Sequence, residues 1–347
     1  MRRKRFASSE NAPGGAPVVT MSDVAMHAGV SAQTVSRVVG RPELVAEATR
    51  IKVQEAIRAL NYIPNEAARN LASKSSRVVA VIIPTLSSSV FAAQVKGIID
   101  LLEPRGISVV IGNSEYSMLR EEQIIQTLLE RRPLGFILTG LQHSPRATDL
   151  LRQSGIPVVE TWDTDSRPLD LAAGFSNIAA GHEVGSLLVA RGSRNVAFVG
   201  GSAKQDARAN GRFVGMAQAL AEAGLPPAFR VELLLPMSSQ DGIRGLDEVL
   251  QRAPMTDAIF FSADMLALAA LLECNRRGVR VPEQLAICGF GDYDLAALVT
   301  PALTTVKIQP DEMGMKAAEL LLARLDGAPD RQKSVVLRPQ LIRRGSA

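Results

Sequence analysis

The sequence has little of what most covalent and metal chemistry requires. There are only two cysteines and three histidines in 347 residues. Cys274 and Cys288 stand in apolar surroundings, which points to buried thiols instead of a disulfide or a metal site. His27, His143 and His182 fall in separate segments with no metal-ligand spacing. No Gly-x-Ser-x-Gly or Walker pattern occurs. Val199-Gly200-Gly201-Ser202 follows an apolar run but lacks the glycine spacing of a dinucleotide fingerprint. Catalysis is therefore poorly supported, and no cofactor is expected. Aromatic residues are 4% of the chain, so the cores must be built from Leu, Val, Ile and Ala. No apolar run reaches the ~18 residues needed to span a membrane. Met1-Arg2-Arg3-Lys4-Arg5-Phe6 begins like the basic region of a signal peptide. Ser, Glu, Asn, Pro and Gly follow in place of an apolar core, so a cytoplasmic location is expected.

What is present first is charge at one end. Residues 1–77 hold 12 Lys/Arg against 6 Asp/Glu, while the remainder holds 27 against 29. Positive charge concentrated in one segment suits contact with phosphate groups. Residues 1–17 read as a disordered basic tail, because Asn11 to Pro17 has nothing to bury. Met21 to His27 is a short helix candidate, and Ala28-Gly29-Val30 a tight turn with Gly where φ > 0 is easiest. Ser31 is placed to cap a second helix. On that helix Val35, Val38 and Val39 share one face, and Ala32, Gln33, Ser36 and Arg37 share the other. An ordinary αα-hairpin with a solvated polar face has the same outline. The polar face, however, carries groups that read base edges: Gln suits adenine, Arg suits guanine, Ser either, and Ala permits close approach. Helix, turn, helix is the arrangement that lays its second helix in the major groove.

Val45 to Tyr62 reads as a third helix with Val53, Ile57 and Leu60 on one stripe. Pro64 punctuates the chain, Asn65 to Leu71 reads as a fourth short helix, and Ser73 to Ser76 as a polar linker. The runs SDVAMHAGVSAQTVSRVV and LNYIPNEAARNLASKSS resemble the DNA-binding headpiece and hinge of the lactose/galactose-repressor family of bacterial transcription regulators. The resemblance continues to about Leu341, and gluconate-operon repressors are the members it most resembles. It implies base reading by Ala32, Gln33 and Arg37. It implies backbone contacts by Thr20, Thr34 and Tyr62, and a minor-groove wedge at Leu71. Ser31, Ser36 and Asn65 complete the expected DNA-facing set.

From Arg77 onward apolar strand candidates alternate with helical runs, the signature of parallel α/β sheets. Two such units of similar size suggest two lobes with a cleft. The expected organisation is a tail (1–17), an all-α helix-turn-helix headpiece (18–63), a hinge (64–76) and a two-lobed α/β core (77–341). The core architecture is that of periplasmic binding proteins, which the family shares. No leucine-heptad tail follows Leu341, which favours a homodimer over a tetramer.

Ligands of open α/β sheets bind outside the carboxyl ends of the strands. Those ends supply Phe91, Glu115, Glu160, Trp162, Asp163, Asn177, Asp264 and Asp292, with Arg208 and Arg212 after the strand ending at Gly200. Of these, all but Arg212 form the expected effector set. Aromatic faces with carboxylates and amides suit a polyol, and Arg suits a carboxylate or phosphate. The chain departs from the family here: Ala263 stands where Asn is common, Gly291 where Asp is usual, and Ile308 where Gln is frequent. Those departures and Arg208 favour a sugar acid over a neutral sugar. The expected function is thus an effector-controlled, dimeric transcriptional regulator of sugar or sugar-acid catabolism that binds a palindromic operator in double-stranded DNA. A sugar-binding module and a sugar-acting α/β enzyme are the alternatives.

Overall fold

The computed structural model describes residues 19–40, 42–63, 76–327 and 333–347. The tail, Asn65 and Leu71 lie outside the described residues. The chain forms two compact units that divide between Ser76 and Arg77.

In the first unit, α1 (Met21–Ala28) and α2 (Ala32–Gly40) flank a turn in which Gly29 has φ 66°. Thr20 and Asp23 form a reciprocal cap on α1: the Asp23 carboxylate accepts from the Thr20 amide at 2.8 Å and its hydroxyl at 2.7 Å. Those hydrogen bonds hold the Asp23 carboxyl below its ordinary range. Ser31 Oγ accepts the Thr34 N–H at 3.1 Å, as its place before α2 predicts. Val24, Val35 and Val53 are fully buried between the helices. The third helix, α3 (Glu47–Ala59), is shorter at both ends than the Val45–Tyr62 expectation. A single 3-10 turn over Pro42–Leu44 precedes it. At the other end Asn61 takes φ 46°, a left-handed conformation that stops helices, and Tyr62 turns its ring back into the core.

The second unit begins with alternating strands and helices: β1 (Val78–Ile83), α4 (Ser89–Leu102), β2 (Ser108–Asn113), α5 (Met118–Leu129), β3 (Gly135–Thr139), α6 (Pro145–Ser154), β4 (Val158–Thr161) and β5 (Leu171–Gly174). The chain then enters the second lobe through α7 (Asn177–Arg191), β6 (Val196–Gly201), α8 (Ala207–Glu222), β7 (Phe229–Leu233), α9 (Ser239–Arg252), β8 (Ala258–Phe261), α10 (Asp264–Arg277) and β9 (Ala286–Cys288). It closes with β10 (Thr305–Lys307), α11 (Pro310–Leu325), β11 (Ser334–Val336) and β12 (Gln340–Ile342). The first lobe holds a parallel sheet in the order β11-β5-β4-β3-β1-β2, the second a parallel sheet in the order β7-β6-β8-β9. Central strands read as continuous apolar runs because helices cover both faces. The chain crosses between lobes after β5, after β10 and after β11, since α11 packs on α4 and β11 pairs with β5. β10 and β12 form an antiparallel pair that sequence pattern missed, being only three residues each. The expected end of the core at Leu341 is too early. Ser346 is fully buried, donates to the Ile287 carbonyl at 2.6 Å and accepts from the Thr304 amide at 2.8 Å.

Helices α7 and α8 touch backbone to backbone. A Cβ on Gly181 would lie 2.0 Å from the Arg212 carbonyl, and one on Gly215 1.8 Å from the Ile178 carbonyl. This contact fixes the level at which α8 presents Arg208 and Arg212. Among the described residues no helix is long and apolar enough to cross a membrane. Cys274 and Cys288 are buried, free thiols.

A buried triad ties the loop after β3 to α5 and β4. His143 Nδ1 lies 2.6 Å from Glu121 and Nε2 lies 3.1 Å from Glu160. Burial alone would lower the imidazole pKa, but hydrogen bonds and charge from the two carboxylates override it and raise the value to about 9. The folded value exceeds the unfolded one, so the triad's stabilisation is complete below about pH 6.5 and lost as pH rises through about 9. Denaturant midpoints of the protein should therefore fall between about pH 7 and 10. His143→Gln should lower the midpoint at pH 7 and flatten that fall; an equally steep fall in the variant would rule the triad out as its source.

Candidate functional site

The headpiece presents one polar face. Ser31, Ala32, Gln33, Ser36 and Arg37 are exposed on it, while Val35 and Val38 point inward. Thr34 is half-buried, with its hydroxyl 2.9 Å from Ser31 Oγ. The Thr20 side chain is engaged in the α1 cap, and Tyr62 is buried in the headpiece core. The face therefore combines an amide, a guanidinium and hydroxyls around one small residue, on a helix whose opposite side is anchored.

The core carries two adjoining cavities in the cleft between its lobes. Tyr116, Asp206 and Arg208 line both. The second is walled by Phe91, Tyr116, Trp162, Phe290 and Tyr293, with Arg208 and Arg212 reaching in from α8. Phe91 and Trp162 lie 4.8 Å apart, and Phe175 continues the stack to Phe290 at 5.9 Å. Arg208 sits 5.8 Å from the Phe91 ring and 5.9 Å from the Tyr116 ring, with Nε 3.6 Å from Asp206. Arg212 lies 4.3 Å over Phe290. Its Nη1 donates to Asn177 Oδ1 at 2.6 Å, and Asn177 donates onward to the Trp162 carbonyl at 2.9 Å. Trp162 Nε1 in turn donates to Gln94 Oε1 at 2.7 Å. This chain of bonds links α4 of the first lobe to α8 of the second.

Two buried polar atoms at this cavity lack a protein partner, Arg212 Nε and Ser262 Oγ. Burial holds the Arg212 pKa down to about 10 and pushes the Tyr116 hydroxyl up to about 12. It also raises the Asp163 carboxyl. Around the cleft, Glu115, Tyr116, Trp162 and Asp292 all have positive φ. Each such residue costs roughly 1–3 kcal/mol, strain that tends to gather where side chains must be aimed. Aromatic walls, two guanidinium groups and unsatisfied polar atoms make a site for an anionic ligand with an extended apolar face and hydroxyls. Among the described residues no group of His, Cys, Asp and Glu is placed to hold a metal ion.

The strand-end expectations divide. Phe91, Trp162, Asp163 and Arg208 line the cavities. Asn177 stands just behind, holding Arg212 and Trp162. Four carboxylates are occupied elsewhere. Glu115 pairs with Arg120 on the surface. Glu160 is inside the His143 triad and also accepts the Leu169 amide. Asp264 is fully buried and accepts from the Thr305 hydroxyl at 2.5 Å and the Tyr293 amide at 2.8 Å. Asp292 pairs with Arg344 at 2.7 Å. A strand end places a residue near the cleft, but the side chain follows the nearest partner. Arg212 is signalled in the sequence by its i, i+4 spacing from Arg208. Ser88, Gln94, Ser262 and Tyr293 carry no such signal.

Family models match a stretch in each of the two units. Residues 20–65 match the bacterial regulatory proteins of the lacI family, and residues 186–347 match the periplasmic binding protein-like domain. The HTH-type transcriptional regulator GntR of Pseudomonas aeruginosa is 38% identical over 330 residues, covering 94% of this chain and 95% of its own. The chain belongs to the LacI family of bacterial regulatory proteins. The crystal structure of a LacI-family regulator from Silicibacter pomeroyi is 34% identical with a TM-score of 0.88, covering 94% of this chain and 99% of its own. The lac repressor dimer bound to operator and the anti-inducer ONPF is 27% identical with a TM-score of 0.82, covering 94% of this chain and 98% of its own. This LacI-family chain is a DNA-binding transcriptional regulator, and its two-lobed core carries the cleft described above.

The buried Arg212 charge predicts a cost to stability. An ion taken out of water without a full counter-charge costs on the order of several kcal/mol, a cost that a neutral residue of similar reach does not carry. Arg212→Gln should melt above the wild type in the absence of ligand, by a few degrees in a scanning experiment. A lower melting temperature would mean that the charge is compensated within the protein.

Proposed function

We propose that this chain is a homodimeric repressor whose palindromic operator is released when a gluconate-like sugar acid enters the core cleft. The observation that carries this reading is Arg212, a buried cation with an unpartnered Nε, facing an aromatic-walled cavity beside Arg208. A carboxylate would complete the two guanidinium groups, the carbon chain would lie on Phe91 and Trp162, and hydroxyls would reach Asp163 and Ser262. The resemblance of the sequence to gluconate-operon repressors supports the same ligand class. Glu115, Glu160, Asp264 and Asp292 fit less well as direct ligand contacts, since each is held by another protein group.

On DNA, Gln33 and Arg37 read bases with Ser36 on the same face, Ala32 permits close approach, and Ser31, Thr34 and Thr20 approach the backbone. Tyr62 is the weakest member of that set because its ring is buried. Asn65 and Leu71 join it from the family resemblance. Exposed Leu86, Met118 and Leu119 on the first lobe and Leu272, Leu295 and Leu298 on the second offer apolar contacts for a dimer. The protein performs no turnover and acts in the cytoplasm, where its operator is.

Fluorescence anisotropy of labelled operator tests the proposal. Gluconate should weaken operator binding at least tenfold, which needs only about 1.4 kcal/mol of coupling, and operator should weaken gluconate binding by the same factor. Arg37→Ala should cost roughly 1–3 kcal/mol on operator and less on random DNA. Gluconate that binds yet leaves operator affinity unchanged, or raises it, would contradict the inducer role.

A further inference from the structure

One hydrogen bond crosses the cleft at the edge of the aromatic cavity. Ser88 Oγ, just before α4 in the first lobe, lies 2.7 Å from the Tyr293 hydroxyl of the second lobe. Both residues line the same cavity. Two hydroxyls at that distance are in contact, so no ligand atom passes between them while the bond stands.

Tyr293 is held at three points. Its N–H donates to Asp264 Oδ2 at 2.8 Å, and Asp264 Oδ1 accepts the Thr305 hydroxyl at 2.5 Å, which ties the loop to β10. Its ring lies over Gly291. A Cβ built there would stand 2.6 Å from Tyr293 Cε1 and 2.9 Å from Cδ1. Gly291 also has φ 133°, a backbone conformation that L side chains rarely adopt. A residue other than Gly would displace the ring, and with it the hydroxyl that reaches Ser88.

We propose that Tyr293 is the specificity-determining wall of the effector cavity, seated by Gly291 and locked to the opposite lobe by Ser88. The lock limits the cavity to a ligand the size of a single sugar acid. The size limit rests on the proposed effector reading; the lock itself does not. The Ser88–Tyr293 contact closes the cavity on that side, so a glycosylated acid whose second ring points past it has to open the contact.

The test has two arms on the full-length protein. In the first, thermal melting without ligand compares wild type, Ser88→Ala, Tyr293→Phe and the double variant. A formed lock makes the losses non-additive, with the double variant melting no lower than the worse single one. Fully additive losses, or no loss from either single variant, would overturn the lock. In the second, calorimetry compares gluconate with lactobionate, which is gluconate bearing a galactosyl group. Wild type should bind gluconate at least tenfold tighter than lactobionate, and Tyr293→Ala should reduce that ratio at least fivefold. Gly291→Ala should move the ratio in the same direction by displacing the ring. Equal binding of the two acids by wild type, or an unchanged ratio in Tyr293→Ala, would overturn the size limit. Binding of neither acid by any of the proteins would overturn the sugar-acid reading and the size limit with it, while the melting comparison still decides the lock.

Discussion

The guanidinium of Arg212 is buried, rests on the face of Phe290 and bonds a neutral amide, Asn177. Among the described residues no carboxylate is in contact with it. Removing such an ion from water costs on the order of several kcal/mol unless a counter-charge replaces the lost hydration. The surroundings supply part of that replacement: the ring quadrupole below, the Asn177 carbonyl, and the more distant charges of Asp206 and Asp163. Its Nε has no partner. The arrangement is therefore more favourable with an anion present than without one, and only the part of that gain that differs between two states of the protein can be coupled to another site.

Much of the fold exists to hold this group in place. The close packing of α7 on α8 through Gly181 and Gly215 sets the height of Arg212. Asn177, at the first turn of α7, links it to Trp162 and through Gln94 to α4. Because those bonds run from one lobe to the other, a change in the position of Arg212 is felt on both sides of the cleft. The positive-φ residues Tyr116, Trp162 and Asp292 place local strain at the same strand ends. An apo site that is strained and incompletely neutralised suits a regulator, whose two states must lie within a few kcal/mol of each other.

The fold was largely legible in the sequence because burial on both faces gives parallel strands their continuous apolar runs, as in Val78–Ile83 and Gly135–Thr139. The start of α2 followed its cap at Ser31, while the cap of Thr20 on α1 was not read from the sequence. The short strands Thr305–Lys307 and Gln340–Ile342 were not legible, since three residues carry no usable period. The polar face of Ala32 to Arg37 could be read because helix geometry alone decides which side chains share it. The cleft could be read only in part. Its position follows from the strand ends, but which carboxylates face it depends on partners distant in sequence. Asp264 is drawn to Thr305, Glu160 to His143, and Asp292 to Arg344. Strand-end position cannot reveal those pairings.

The central claim is that an anionic group completes the buried charge at Arg212. Calorimetric titration of the full-length protein with gluconate and with sorbitol, the same polyol chain without the carboxylate, tests it most directly. A charged hydrogen-bonded contact of about 1.5–3 kcal/mol predicts that gluconate binds at least tenfold more tightly than sorbitol. Equal affinities would mean that Arg212 is not the anchor and would contradict the account.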